Sequence, residues 1–262
     1  MRQIDLHTVP FTARESRLLI FHDTHGYRIQ IAESYFSYAR QTPLHHLQIA
    51  GAEAPNALPY AINAGQTEWV IAQPDVLMLR GRTSAISFVV EDTHQFTNNG
   101  GGVSGDINLA YTVHPAPDHQ NFVDGKVSLN WQEKTQVTLS FTIKRGDLPS
   151  SSMLSFDEAE KQAKTAYTHW QALVPSPDEN GSLYDYAWWI MDVNRIRNYA
   201  HPERLAMSPS KLHYVGCWLW DAYFHAIAYR HHSPAIAKEQ LHTMIDHQQA
   251  DGMLPDVIHD GG

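Results

Sequence analysis

The sequence predicts two units in succession, an antiparallel β-sandwich and then an all-α unit. Three observations carry this expectation. Short runs of alternating polar and apolar residues recur from Ser16 to about Arg145, separated by glycine, proline and aspartate. Near residue 150 the texture turns to proline and serine, and a helix-capping signature follows. Beyond it, apolar residues recur at helical spacing without further strand signals. The expected divisions are 1–150 for the sandwich, 151–178 for a linker and bridging helix, and 179–262 for the helical unit.

In the first half, Leu18–Phe21 and Tyr27–Ile31 read as strands joined by the turn cluster Asp23-Thr24-His25-Gly26. Trp69–Ile71, Val76–Leu79 and Ile86–Val90 follow, split by Gln73-Pro74-Asp75 and by Gly81-Arg82-Thr83. Asn108–Val113, Val127–Trp131 and Val137–Ile143 alternate polar and apolar, the mark of strands with one buried face. Many short strands at regular intervals argue for a sandwich. Asn98–Gly102 reads as a connecting loop, with a lid over a pocket as the sharper option; no lysine-bearing helix follows it, so it is not a phosphate loop.

Pro149-Ser150-Ser151-Ser152 reads as a linker, and Ser155 with Glu158 forms a capping box for a helix running to Leu173. Leu183–Asn198 reads as a second helix, with Tyr184, Trp188, Trp189 and Ile196 on one face. Pro202 and Pro209 make 201–211 largely loop. A helix through Ala222–Tyr229 follows, and Ser233-Pro234 opens another that closes at Asp251-Gly252. Its inner stripe reads Ile236, Gln240, Leu241, Met244, Ile245 and Gln248.

Composition narrows the partners. The net charge of -9 and a pI near 6.0 draw the chain to neither nucleic acid nor an anionic membrane. No apolar run is long enough to span a bilayer. Cys217 is the single cysteine, so no intrachain disulfide forms. No signal peptide is visible at the N-terminus, so cytoplasmic is the default expectation, with the periplasm the alternative for a chain whose leader has been removed. The 17 histidines lack metal-ligand spacing: His231 and His232 diverge, and His242 and His247 fall on different helix faces. No metal and no cofactor is expected.

The candidate site is Gly216–Ala226. Trp218 and Trp220 flank one residue and Asp221 follows at once. Indole faces stack on pyranose rings, and a carboxylate accepts hydrogen bonds from neighbouring hydroxyls. Core tryptophans with Asp221 as a helix cap form the plainer reading. Eleven aromatic residues lie between Tyr184 and Tyr229, about twice the chain average of 11%, and this density favours a stacking surface.

The run Tyr214–Ala226 resembles the tryptophan-x-tryptophan-aspartate segment of glycoside hydrolase family 63 and its trehalase-like relatives. Gln248–Pro255 is similar to the glutamine-x-aspartate-glycine turn that follows one helix later in those enzymes. Ala187–Asn194 and Ser208–Lys211 are similar as well. The resemblance implies an (α/α)6 barrel behind the sandwich, and an inverting α-glycoside hydrolase of α-glucosidase type. It implies sugar contacts at Tyr214, Trp218, Trp220, Asp221, Phe224, Gln249 and Asp251, with an α-linked oligosaccharide or glycoside as partner. In the family, the aspartate matching Asp221 holds sugar hydroxyls, and the acid and base lie downstream. Inversion needs two carboxyl groups. Asp221 as a base, with Asp251 as its second acid, is therefore the weaker reading.

With residue 262 only a few helices into a twelve-helix barrel, the expectation is that this stretch alone is inactive. A second chain or a self-associated copy would then cover the open barrel edge. The alternatives are a non-catalytic carbohydrate-binding or scaffolding protein, and a related α-barrel enzyme such as a glycosyl-glycerate hydrolase, a trehalase or an epimerase.

Overall fold

The computed structural model describes residues 3–24, 26–32, 45–48, 56–90, 107–123, 126–145, 154–175, 181–197, 201 and 203–259. The expected loop at 98–102 and linker at 149–152 lie outside the described residues.

Ten strands make one antiparallel ladder: β1 (Leu18–Asp23), β2 (Gly26–Ile31), β3 (His45–Gln48), β4 (Asn56–Leu58), β5 (Ala61–Ala64), β6 (Thr67–Gln73), β7 (Val76–Val90), β8 (Ile107–His114), β9 (His119–Val123) and β10 (Lys126–Arg145). β1 and β2 form the expected hairpin, with Asp23 paired to Gly26 and a positive φ of 115° at that glycine. β7 and β10 form the spine of the ladder. One edge of β7 carries β6 along Val76–Gly81 and β3 along Ser87–Val90. The sheet therefore divides into two wings, β3-β2-β1 and β6-β5-β4, while β8 and β9 share the far edge of β10.

The N-terminal segment ties the wings together: Ile4 bridges Ala57 of β4 and Phe11 bridges Ile20 of β1. Their inner faces meet in one core, where Tyr27 lies on Trp69 with ring centroids 4.3 Å apart and Phe88 meets Phe141 edge-on at 5.1 Å. The architecture is sandwich-like, as expected.

Two expected breaks are absent. Gly81 does not end a strand; β7 runs through it. A Cβ at this position would lie 2.7 Å from Thr67 Cγ2, so the glycine permits close approach of β6 and makes no turn. β10 likewise runs through the expected gap near Gln132, its register shifting between Asn130 and Thr135.

Helix α1 (Phe156–Leu173) has the expected cap: Glu158 N donates to Ser155 Oγ at 3.3 Å, and Ser155 N donates to Glu158 Oε2 at 3.0 Å. It lies on the sandwich, with Phe156 and Ala159 against Val70, Val76 and Met78.

The second half is not purely helical. Helix α2 (Gly181–Val193) stops five residues before the expected Asn198, and β11 (Arg195–Arg197) pairs with β12 (Leu205–Met207). Asn194 turns the chain: its side-chain amide donates to Pro209 O at 3.3 Å, and its carbonyl accepts from Ser208 N at 3.0 Å. A second short ladder joins β13 (Cys217–Trp218) to β14 (Val257–Ile258). Helix α3 (Leu219–Tyr229) packs on α4 (Pro234–Asp246), which ends before the expected Asp251.

On α4, Gln240 and Met244 are buried as expected, but Ala237 and Thr243 join them while Leu241 and Ile245 face solvent. Gln240 explains that rotation. Its side chain accepts from Met207 N at 2.7 Å and donates to Leu205 O at 3.2 Å, which docks α4 on β12.

A polar seam joins the two halves at residues 12–17. Arg14 makes a two-pronged pair with the buried Asp192, at 3.0 and 2.9 Å. Lys211 is buried and donates to Thr12 Oγ1 at 3.2 Å, to Ala13 O at 2.9 Å and to Ser16 O. Burial holds its ammonium well below the ordinary lysine range. Glu15, at φ 66°, donates its N–H to Arg195 O at 2.7 Å, and its carboxylate accepts from Arg197. The core also crosses the seam, since Trp188 and Trp189 are buried and Trp189 Nε1 donates to Pro59 O at 3.3 Å.

Candidate functional site

The site starts from a crossing. β13 and β14 bring the 214–221 stretch beside the segment after the Gln248–Met253 turn, and Leu219 N donates to Asp256 O at 2.9 Å. Gly216 lies under this crossing. A Cβ there would meet Val257 Cγ2 at 3.0 Å and Ile258 O at 3.1 Å, so a side chain would force the strands apart. Cys217 points inward, and burial pushes its thiol up to about 12, which leaves it inert as a nucleophile.

Trp218 occupies the N-cap of α3 with no side-chain cap, so Asp221 is not the cap of the plainer reading but a first-turn residue. A negative side chain is favourable at that end of the helix dipole. Residues three and four apart share a helix face. Trp220, Tyr223 and Phe224 accordingly form an apolar rail, with Trp220 and Phe224 ring centroids 5.5 Å apart and Tyr223 and Phe224 5.6 Å apart. Asp221 and His225 form a polar rail beside it.

The apolar rail is displayed: Trp220 is 75% exposed, Tyr223 57% and Phe224 50%. Tyr214 is half-exposed and meets Trp218 edge-on at 5.9 Å, while Trp218 Nε1 donates to Tyr214 O at 3.3 Å. The Trp218 N–H is thus satisfied internally. Among the described residues, no hydrogen bond or ion pair engages the Asp221 carboxylate.

Gln249 and Asp251 sit in a closed turn. Gln249 N donates to Met253 O at 2.8 Å, Gly252 N to Gln249 O at 2.9 Å, and Met253 N to Asp251 Oδ1 at 3.0 Å. One Asp251 oxygen is thus spent on its own turn. Among the described residues, no hydrogen bond or ring contact joins either residue to Trp220 or Asp221. From the sequence Tyr223 enters only as one of the eleven aromatics and His225 is not a candidate, although helical periodicity from Trp220 and Asp221 reaches both.

Among the described residues, His201, Glu203 and Asp246 are the one group able to gather three metal donors, within 4.8 Å of one another. Arg204 Nε already donates to Asp246 Oδ2 at 2.6 Å, and His201 Nδ1 contacts Glu203 Oε1 at 3.2 Å. An arginine charge sits where a cation would, so no metal is assigned there. No helix of the described chain is long and apolar enough to cross a membrane.

Residues 214–262 match the family model of the mannosylglycerate hydrolase MGH1-like glycoside hydrolase domain. No curated protein matches the sequence. Among solved structures, the chain resembles a family GH92 α-mannosidase from Bacteroides thetaiotaomicron, with TM-score 0.52 and 10% identity over 97% of this chain and 49% of that one. The same enzyme bound to mannoimidazole gives TM-score 0.51 and 9% identity over 98% and 48%. A protein provisionally described as a kojibiose phosphorylase, from the human microbiome, gives TM-score 0.51 and 10% identity over 98% and 50%.

Such low identity shows shared fold alone. The chain spans about half the length of these neighbours. The matches support a glycoside-hydrolase-like relationship with a partly present helical barrel, and they do not single out family 63. Every sugar contact expected from the sequence lies inside the matched 214–262 segment.

Proposed function

We propose that this chain belongs to a glycoside hydrolase acting on an α-linked glycoside, and that its start of α3 forms part of the sugar subsite. The observation that carries this reading is the pairing of two rails on one helix. Three exposed aromatic rings stand beside a carboxylate that no hydrogen bond or ion pair engages among the described residues. A pyranose presents the complementary surfaces, apolar C–H faces and a polar edge of hydroxyls.

The glycoside hydrolase match of the same segment supports it. For the sugar itself, the mannosylglycerate hydrolase-like match favours a mannosyl unit, whereas the α-glucosidase type rests on the tryptophan-x-tryptophan-aspartate resemblance alone. In this reading Asp221 grips hydroxyls, and no residue of the chain is assigned as catalytic acid or base. The hydrolysis would invert the anomeric centre.

Calorimetric titration with methyl α-mannoside, methyl α-glucoside and mannosylglycerate tests the subsite. Asp221→Ala and Trp220→Ala should each weaken the preferred ligand at least about tenfold with the melting curve preserved. Unchanged affinity in Asp221→Ala would remove that residue from the site. Binding that survives both substitutions would place the sugar elsewhere.

A further inference from the structure

Resting on the sugar-site reading above, we infer that His225 is the second polar group of the subsite, a neutral imidazole whose Nε2–H donates to a sugar hydroxyl that Asp221 accepts from or adjoins.

Side chains in a helix tilt towards its N-terminus, so His225 leans back over the turn that carries Asp221, four residues earlier. Its two ring nitrogens have different surroundings. Nδ1 is sealed from solvent and has no hydrogen-bond partner among the described residues. His225 as a whole is only partly buried, Nε2 is not among the buried atoms that lack a partner, and no described residue engages it by a hydrogen bond.

A neutral imidazole places a proton on one nitrogen and a lone pair on the other. Orphaned buried N–H groups are rarer than under-satisfied acceptors, so the sealed Nδ1 is the lone-pair side and Nε2 carries the hydrogen. A proton on both would leave a charged N–H sealed without an acceptor. The lowered pKa of His225, which comes from burial against the opposing pull of Asp221, agrees with this neutral form.

The polar rail then offers one acceptor and one donor, about 5–6 Å apart at their Cβ atoms. Neighbouring hydroxyls on a pyranose need that combination, because each hydroxyl donates one hydrogen and accepts another. The apolar rail beside it takes the ring face. The ligand class is a pyranose presenting a vicinal diol, and the site discriminates against one lacking either hydroxyl.

Two measurements test this. Long-range 15N–1H NMR correlation of the His225 ring in the free protein at pH 7 should show the Nε2–H tautomer. An Nδ1–H tautomer or an imidazolium would overturn the inference, and this readout does not depend on any sugar binding. The second compares His225→Gln, whose amide nitrogen reaches the Nε2 position, with His225→Asn, which reaches only Nδ1. Titrated with whichever of methyl α-mannoside, methyl α-glucoside and mannosylglycerate binds the parent protein best, Gln should stay within about threefold and Asn should lose about five- to tenfold. Equal affinity of both variants with the parent, while Asp221→Ala loses binding, would overturn the role of His225 and leave the sugar site standing. Loss in neither His225 variant nor Asp221→Ala would overturn both.

Discussion

Trp69 and Trp220 are the same residue type in opposite surroundings. Trp69, on β6, has no exposed surface and lies against Tyr27 in the sandwich core. Trp220, on the first turn of α3, is 75% exposed and touches only another displayed ring, Phe224, among the ring contacts described. The contrast extends to their neighbours. In the sandwich, Phe88, Phe141 and Trp131 all point inward, whereas on α3 Tyr223 and Phe224 follow Trp220 outward. Burying an aromatic ring stabilises a fold; leaving several in water, side by side, brings no such gain and marks a surface that meets something. Aromatic residues in this chain are therefore of two kinds, and neither type nor local density separates them.

The sharpest way to test that division is to truncate both indoles. Trp69→Ala should destabilise the protein by about 3–5 kcal/mol in chemical denaturation, through lost transfer energy and a cavity. Trp220→Ala should stay within about 0.5 kcal/mol of the parent, its effect confined to sugar affinity. Comparable destabilisation in the two variants would erase the distinction.

The seam between the halves comes next in size. Asp192 is buried and holds Arg14 and Arg195, the latter at 3.5 Å and itself buried. Asp192→Ala leaves the Arg195 charge with Glu239 alone, at 3.3 Å, and should cost about 3 kcal/mol. If the two halves melt separately in this variant but together in the parent, the seam is what couples them.

The smallest effect belongs to the cap of α1. Ser155→Ala should cost about 1 kcal/mol at neutral pH. The Ser155 hydroxyl, then its backbone N–H, hold the Glu158 carboxyl below its ordinary value of 4.5. A lowered folded value gives stability that is fully present above the unfolded value and lost as pH falls through the folded one. Acid titration below pH 4.5 should therefore be shallower in Ser155→Ala than in the parent. Identical slopes would show that the cap adds nothing in solution.

Much of the fold is readable before any coordinates. The β1–β2 hairpin, the turn before Val76 and the capped start of α1 follow from local chemistry: turn residues with permitted dihedrals, alternation with one buried face, and a serine and a glutamate three apart. The errors share one cause. Gly81 looks like a turn because glycine serves equally in turns and at close crossings, and only the neighbouring Thr67 decides between them. Leu241 and Ile245 look like core because apolar residues at helical spacing are usually buried. Gln240, fastened to β12, rotates the helix so that Thr243 goes in and they stay out. The β11–β12 and β13–β14 ladders are invisible in the sequence because two- or three-residue strands carry no periodic signal.

For the site, the order of residues suffices for what is available: the indoles, the carboxylate, and the helical spacing that puts Trp220 with Phe224 and Asp221 with His225. Local spacing is a property of the backbone and needs no partner. Only packing separates the displayed aromatics from the core ones: Trp188 and Trp189 are buried, whereas Trp220 is open. It also turned Asp251 onto its own backbone and sealed Nδ1 of the partly buried His225. Burial and hydrogen-bond satisfaction depend on what arrives from elsewhere in the chain, and no local pattern encodes that.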